Sequence, residues 1–436
     1  MSRNEKEFLA EDIELNDGRL LKLSKGKVWY IMIILYLLWF LDYATRMVIS
    51  PMYPVLQKEF GLTDSQLGLL TTIVLAMIAL FSVPVSYFVD RWRRGKLISL
   101  MAIIWSISTF FSGLSNNFTQ LLITRGILGV GESSYASGGM ALISAIIKKP
   151  HRATVTGLWN TAIPFGLAFG LLIGGWVTVN VGWRQAFMVV AIPGIVLGIL
   201  AWFIPDYKNK SRNNEIGSVP GKTFWVTFKD LLKNKTLISL YTSFGILNLF
   251  LMSMIYWQVT YFVRYMGMSV GMAGTMNAAM AILALIGGPL GGVISDRVAL
   301  RNPAYKMVLC YIVAALSVFF YATGMLTNQI PFFFAGAFFS FMLMAPQMTA
   351  TQEIVPSYER GSSYGIYVIS QYVLGGLWGP WLTGVFSDVL NLQTACLIMS
   401  AIAFIGSLGY LLAAKFFNHD IKAAKEKDRL ITVEHA

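Results

Sequence analysis

Charge is scarce in this 436-residue chain. Asp, Glu, Lys and Arg make up 13% of it, roughly half the ~25% of an ordinary soluble domain. That shortage excludes a soluble enzyme or a scaffold built from hydrated modules. Histidine and cysteine are nearly absent, with 3 and 2 copies. His151, His419 and His435 fall in a loop and the C-terminal tail, and Cys310 and Cys396 fall inside apolar runs. No metal spacing, disulfide framework or Ser-His-Asp arrangement is therefore available, and no cofactor is implied. No signal peptide is expected at the start: about 28 polar residues precede the first apolar run, which is too long for an h-region and has no small-residue cleavage site.

Apolar sequence fills the gap, at 56% hydrophobic residues and a mean hydropathy of +0.61. The first run covers 29–50, and others cover 66–89, 97–114, 120–147, 153–178 and 186–204. After a polar stretch come 237–263, 271–294, 307–325, 331–352, 361–386 and 393–416. Each is near or above the ~20 residues that cross a bilayer. The reading is an all-α membrane protein with twelve spans.

The net charge of +12 is a topology signal. Of 34 Lys and Arg, 29 lie in the N-terminal tail, the even-numbered loops and the C-terminal tail. Lys58, Arg184 and Arg264 lie on the other side, and Arg46 and Arg125 lie within spans. Positive residues stay inside, so both termini are expected in the cytoplasm of a plasma or inner membrane, with no nucleic-acid partner.

A polar segment, 205–236, divides the spans six and six. The expected plan is a tail at 1–28, a six-helix bundle at 29–204, the linker, a second bundle at 237–416 and a tail at 417–436. Phe224, Trp225, Phe228, Leu231 and Leu232 recur at helical spacing opposite Lys229, Lys233 and Lys235. This fits an interfacial helix; a flexible linker with a frayed helix is the alternative. The halves also repeat. Asp90-Arg91 follows the second span and Asp296-Arg297 the eighth, 206 residues later. Arg152-x4-Gly157 enters the fifth span and Arg360-x4-Gly365 the eleventh, 208 residues later. A common offset indicates an internal duplication and two pseudo-symmetric bundles, as in many secondary transporters.

Four ionisable residues sit at lipid depth: Asp42, Arg46, Arg125 and Glu132. Each costs about 2.5–3.5 kcal/mol at a bilayer centre on insertion scales. Asp42 and Arg46 are four apart, Arg125 and Glu132 seven apart, so each pair shares a helix face. The pairs either line a polar cavity or pin the first and fourth spans together. Buried pairs rarely stabilise more than apolar packing, which favours function for Arg46 and Glu132. Asp42 and Arg125 lie nearer span ends and are open to either role. Gly157, Gly166, Gly170, Gly174 and Gly175 in the fifth span allow close helix approach, expected here to let one bundle rock against the other.

Several of these segments resemble the major facilitator superfamily. Ser86-Tyr-Phe-Val-Asp90-Arg91-Trp92-Arg93-Arg94-Gly95 is similar to its loop signature G-x-x-x-D-R-x-G-R-R, with Ser86 in place of the first glycine. The resemblance implies gating ion pairs at Asp90, Arg91, Asp296 and Arg297. The fifth-span glycines resemble the antiporter motif, but Leu171 replaces its proline, which argues against antiport. Tyr43-Ala-Thr45-Arg46, Arg125-Gly with Gly131-Glu132, and Thr156-Gly157-x2-Asn160 resemble two branches. One is the anion:cation symporters, which include hexuronate and galactonate importers. The other is the spinster-like lysolipid transporters, whose G-V-G-E-A-S-Y is similar to Gly129-Val-Gly-Glu132-Ser-Ser-Tyr135. Both imply an arginine at Arg46 that binds or gates for an anionic group and a proton-coupling glutamate at Glu132. Both commonly carry Asp before that arginine. Thr45 stands there, so any proton role of that residue is absent or moved to Asp42.

The second half offers neutral polar residues: Tyr256, Trp257, Gln258, Gln347, Tyr367 and Gln371. With Tyr43 and Asn160 they are the expected wall around a solute with one anionic end, although interhelical hydrogen bonding is the competing role for each. The expectation is a monomeric proton-coupled symporter of a small organic anion. A lysolipid transporter or drug exporter is the alternative.

Overall fold

The protein is described by a computed structural model, which covers residues 13–14, 20–21, 24–91, 94–133, 135–205 and 224–434. A two-residue antiparallel ladder pairs β1 (Ile13–Glu14) with β2 (Leu20–Leu21). Among the described residues, the other regular structure is helical. The helices are α1 (Lys25–Met47), α2 (Tyr53–Phe60), α3 (Asp64–Arg91), α4 (Arg94–Ser112), α5 (Phe118–Glu132), α6 (Tyr135–Ile146), α7 (Lys149–Asn160), α8 (Ala162–Asn180) and α9 (Trp183–Ala201). They continue with α10 (Phe224–Leu231), α11 (Lys235–Met266), α12 (Val270–Ile282), α13 (Ala284–Arg301), α14 (Tyr305–Thr327), α15 (Ile330–Glu353), α16 (Arg360–Ser370), α17 (Gly379–Val389) and α18 (Leu392–Glu434).

Among the described residues, ten helical stretches are long and apolar enough to cross a membrane by length and composition. The two other expected spans are each made of two shorter helices. α5 ends at Glu132 and α6 starts at Tyr135, and a π-helix, Gln371–Gly376, lies between α16 and α17. α10 falls in the expected linker; residues 206–223 and the side chains of Asp90 and Arg91 lie outside the described residues.

The chain forms two compact units. The first comprises Met1–Ser211 with Phe262–Ala281, the second Arg212–Tyr261 with Ile282–Ala436. The end of α11 and nearly all of α12 thus pack with the first unit, although they belong to the seventh and eighth spans of the sequence.

In the first unit α1 packs on α8 and α9, α4 on α5 and α9, and α3 on α5. Glycine decides the α1–α8 approach. A methyl group on Gly170 would lie 2.5 Å from the Ala44 carbonyl oxygen, and Gly166 and Gly174 press on the Phe40 and Val48 carbonyls in the same way. Three of the five fifth-span glycines therefore seat α8 against α1 inside one unit. Gly175 alone meets α12, at the Val270 carbonyl and the Gly274 backbone. Arg264, at the end of α11, reinforces that attachment through Asp64 at 2.5 Å and Gln57 at 2.8 Å.

In the second unit α14 packs on α15 and α18, α13 on α15, and α17 on α18. Asn418 on α18 donates to Asn302 at 2.7 Å and accepts from the Ala304 N–H at 3.1 Å, fastening the long last helix to the α13–α14 turn.

Candidate functional site

The site begins with a helix that stops early. α1 ends at Met47, and Pro51, within the short 3-10 turn Ser50–Met52, has no N–H to donate to the Met47 carbonyl. The last-turn carbonyls of α1 therefore need partners from elsewhere. Arg125 of α5 supplies them for Thr45 and Arg46. It is 0% exposed, and its guanidinium donates to the carbonyls of Thr45 at 3.1 Å, Arg46 at 3.4 Å and, more loosely, Leu70 at 3.5 Å. Positive charge at a helix C-terminus also complements the helix dipole.

The turn so held carries the central arginine. Arg46 is 6% exposed; its Nη2 donates to both oxygens of Asp42, at 2.5 and 2.9 Å, and its Nε donates to Glu132 Oε2 at 2.8 Å. Asp42 and Glu132 are themselves 0% and 3% exposed. Thr45 Oγ1 lies 3.0 Å from Glu132 Oε1. All four carboxylate oxygens thus have hydrogen-bond partners. Glu132 hydrogen-bonds Arg46 across helices, and Arg125 on its own helix face is a second nearby cation.

Aromatic rings close one side. The Arg46 guanidinium lies 4.9 Å from the Tyr43 ring centre, a cation–π distance. Tyr43 meets the edge of Trp39 at 5.0 Å, and Trp39 stacks on Trp159 at 5.0 Å and on Tyr135 at 5.4 Å. Trp159 Nε1 and the Tyr135 hydroxyl both donate to the Leu35 carbonyl, fixing the stack to α1. Asn160, the last residue of α7, is exposed.

The neutral residues expected from the second half lie in the second unit, mostly committed to its packing. Trp257 is fully buried and donates to the Pro380 carbonyl at 2.8 Å, flanked by buried Tyr256 and Gln258. Gln347 accepts from the Tyr410 hydroxyl at 2.8 Å and also bonds Tyr367, which stacks on Phe244 at 4.3 Å. Gln371 begins the π-helix, and Asn248 Nδ2 donates to its carbonyl at 2.8 Å. Asp296 and Arg297 are exposed on α13.

Three features escaped the sequence reading. Thr45 joins the charge cluster. Tyr410 joins the Gln347 group, with no periodic signal to mark it. Lys306, counted among loop cations, is buried in the first turn of α14 and pairs with Glu353 at 2.5 Å. Its one-turn spacing from Cys310, inside the apolar run, was the available clue.

Crossing helices around a buried charge cluster define a class: a multi-pass helical membrane transporter. Residues 35–380 match the model of the Major Facilitator Superfamily, and the chain belongs to that family. Among its relatives, protein spinster homolog 1 of Xenopus laevis is 24% identical, covering 97% of this chain and 88% of that protein. The hexuronate transporter of Bacillus subtilis (strain 168) is 25% identical, covering 89% of this chain and 94% of that one. A solved bacterial homologue of the human lysosomal transporter spinster, inward-facing and unoccupied, shares the fold with a TM-score of 0.79. It is 23% identical, and the match covers 91% of this chain and 99% of that one. Like these relatives, the protein is a transporter rather than an enzyme.

Proposed function

We propose that the protein moves a small organic anion, of the sugar-acid or similar carboxylate class, together with protons by alternating access. One observation carries this reading: the guanidinium of Arg46 is already engaged by two internal carboxylates, Asp42 and Glu132. A solute carboxylate makes the same charge-assisted bonds, so it competes with them. Protonating Glu132 removes its charge and releases Arg46 Nε for the solute. Proton and anion then bind together, which is symport.

In this reading Arg46 binds the anionic group, Glu132 carries the proton and Asp42 remains the ionised partner one turn away. The Tyr43 ring provides a face for the body of the solute. Asp90, Arg91, Asp296 and Arg297 serve as gate residues near helix ends. Both termini lie in the cytoplasm of a plasma or inner membrane, as the basic asymmetry requires, and the transporter acts as a monomer. The hexuronate relative supports the solute class.

The aromatic stack of Trp39, Tyr135 and Trp159 beside the charges supports a second solute, an amphipathic anion such as a lysolipid, in line with the spinster relatives. Counterflow in proteoliposomes with a hexuronate, simple carboxylates and a lysolipid decides between them. Glu132→Gln, which mimics the protonated form, is expected to lose uptake driven by a pH gradient while exchanging labelled for unlabelled solute. Full gradient-driven uptake by this variant removes the proton from Glu132 and makes Asp42 the next carrier to test.

A further inference from the structure

Glu132 is hydrogen-bonded by the side chains of Arg46 and Thr45, and the two are chemically unequal. Arg46 Nε donates to Oε2 at 2.8 Å. A guanidinium has no acceptor, so it can donate to a carboxyl oxygen but cannot take the O–H of the protonated form. Asp42 and Arg46 on α1 and Arg125 on α5 are the charged groups around Glu132, and neither cation can accept from a protonated carboxyl. The second partner, Thr45 Oγ1, differs. It lies 3.0 Å from Glu132 Oε1, 3.0 Å from the Leu41 carbonyl oxygen and 2.8 Å from the Asp42 carbonyl oxygen. One hydroxyl proton therefore faces three acceptors, and the same oxygen has lone pairs to accept with.

We propose that Thr45 is the positioning residue for proton exchange at Glu132. Its hydroxyl donates to Oε1 while Glu132 is ionised. Once the carboxyl is protonated, the hydroxyl rotates its proton onto the Leu41 or Asp42 carbonyl and accepts from Oε1. No heavy atom has to move, and the hydroxyl keeps its own proton throughout. The carboxyl group keeps its hydrogen bond to Thr45 in both states. Buried as it is, Glu132 would otherwise hold a protonated carboxyl with no hydrogen-bond acceptor, which is costly in a low-dielectric site. The inference rests on the reading of Glu132 as the proton carrier.

The test is pH-difference infrared spectroscopy on the purified full-length transporter, following the carboxyl C=O stretch that Glu132→Gln abolishes. The bond lost from the ionised state is charge-assisted and stronger than the bond lost from the protonated state. Thr45→Val, near in shape but without the hydroxyl, is therefore expected to move the titration midpoint upward by about one pH unit, a tenfold change in proton affinity. Thr45→Ser, which keeps the hydroxyl, is expected to titrate as the parent does. The pH profile of solute uptake should move with the spectroscopic midpoint. If Thr45→Val does not fold, Thr45→Ala removes the same hydroxyl and is held to the same shift. A hydroxyl-free variant that titrates as the parent overturns the proposal, as does Thr45→Ser shifting as far as Thr45→Val. A spectrum in which Glu132→Gln abolishes no titrating band overturns the proton-carrier reading itself, and this inference with it.

Discussion

The two units bury polar side chains for different ends. In the first, the buried groups at α1 and α5 are charged and bind one another: Asp42, Arg46 and Glu132, with Arg125 on the carbonyls beneath them. In the second, they are mostly neutral and bind backbone. Trp257 holds the Pro380 carbonyl, Ser253 the Gly379 carbonyl, Tyr261 the Met325 carbonyl and Asn248 the Gln371 carbonyl. Bonds from neutral side chains to backbone join helices without a net charge to add or remove. A cluster of side-chain charges is expensive to bury and has several alternative pairings, so adding one proton or one anion rearranges it. On the proposed function, the difference puts the chemistry in the first unit and the fastening in the second. The second unit's buried cation supports the contrast: the Lys306 side chain is 2% exposed, but its partner Glu353 is 41% exposed and keeps its water.

The sharpest way to break this comparison is at Arg46. Arg46→Met strands two buried carboxylates and is expected to cost about 3–5 kcal/mol, the range for removing one side of a buried ion pair; thermal unfolding of the purified protein measures it. Arg46→Lys keeps the charge but cannot reproduce three donor contacts from a planar fork. Solute affinity is expected to fall at least about tenfold, and unchanged binding would return Arg46 to a structural role.

A smaller effect is expected in the second unit. Trp257→Phe removes one buried bond to the Pro380 carbonyl, at a cost of about 1 kcal/mol. The melting temperature should drop a few degrees while the pH dependence of uptake stays in place. A displaced pH profile would mean that the two units share the titrating chemistry. The smallest effect is expected at Lys306→Met, below about 1 kcal/mol, because Glu353 remains solvated and an apolar side chain suits the cavity left by the lysine stem. A loss as large as that of Arg46→Met would erase the distinction between the two buried cations.

Local patterns were legible and distant partners were not. The pairing of Asp42 with Arg46 follows from their spacing of one helical turn, and the structure contains it. Arg125 and Glu132 also share a helix face, yet the hydrogen bonds of both reach α1. That outcome depends on α1 ending at Met47, which leaves carbonyls for Arg125 to cap. The run at 361–386 reads as one continuous span, whereas the chain inserts a π-helix at Gln371–Gly376. Its displaced carbonyl is taken by Asn248, 123 residues away, a partner no local window contains. Arg264 looked like an isolated outer cation; it meets Asp64 200 residues away in sequence.

The amino-acid sequence by itself determined that this chain is a twelve-span helical membrane protein carrying charges at lipid depth. Hydrophobic length and the desolvation of a charge are properties of a few consecutive residues, so composition is enough to read them. Tertiary structure alone decided which charge answers which, that Thr45 touches Glu132, and that residues 262–281 join the first unit. Those outcomes depend on which helices come within 3 Å hydrogen-bonding reach of one another. That reach is set by glycine-lined crossings such as Gly170 on Ala44 and Gly274 on Gly175, and by the point at which α1 stops.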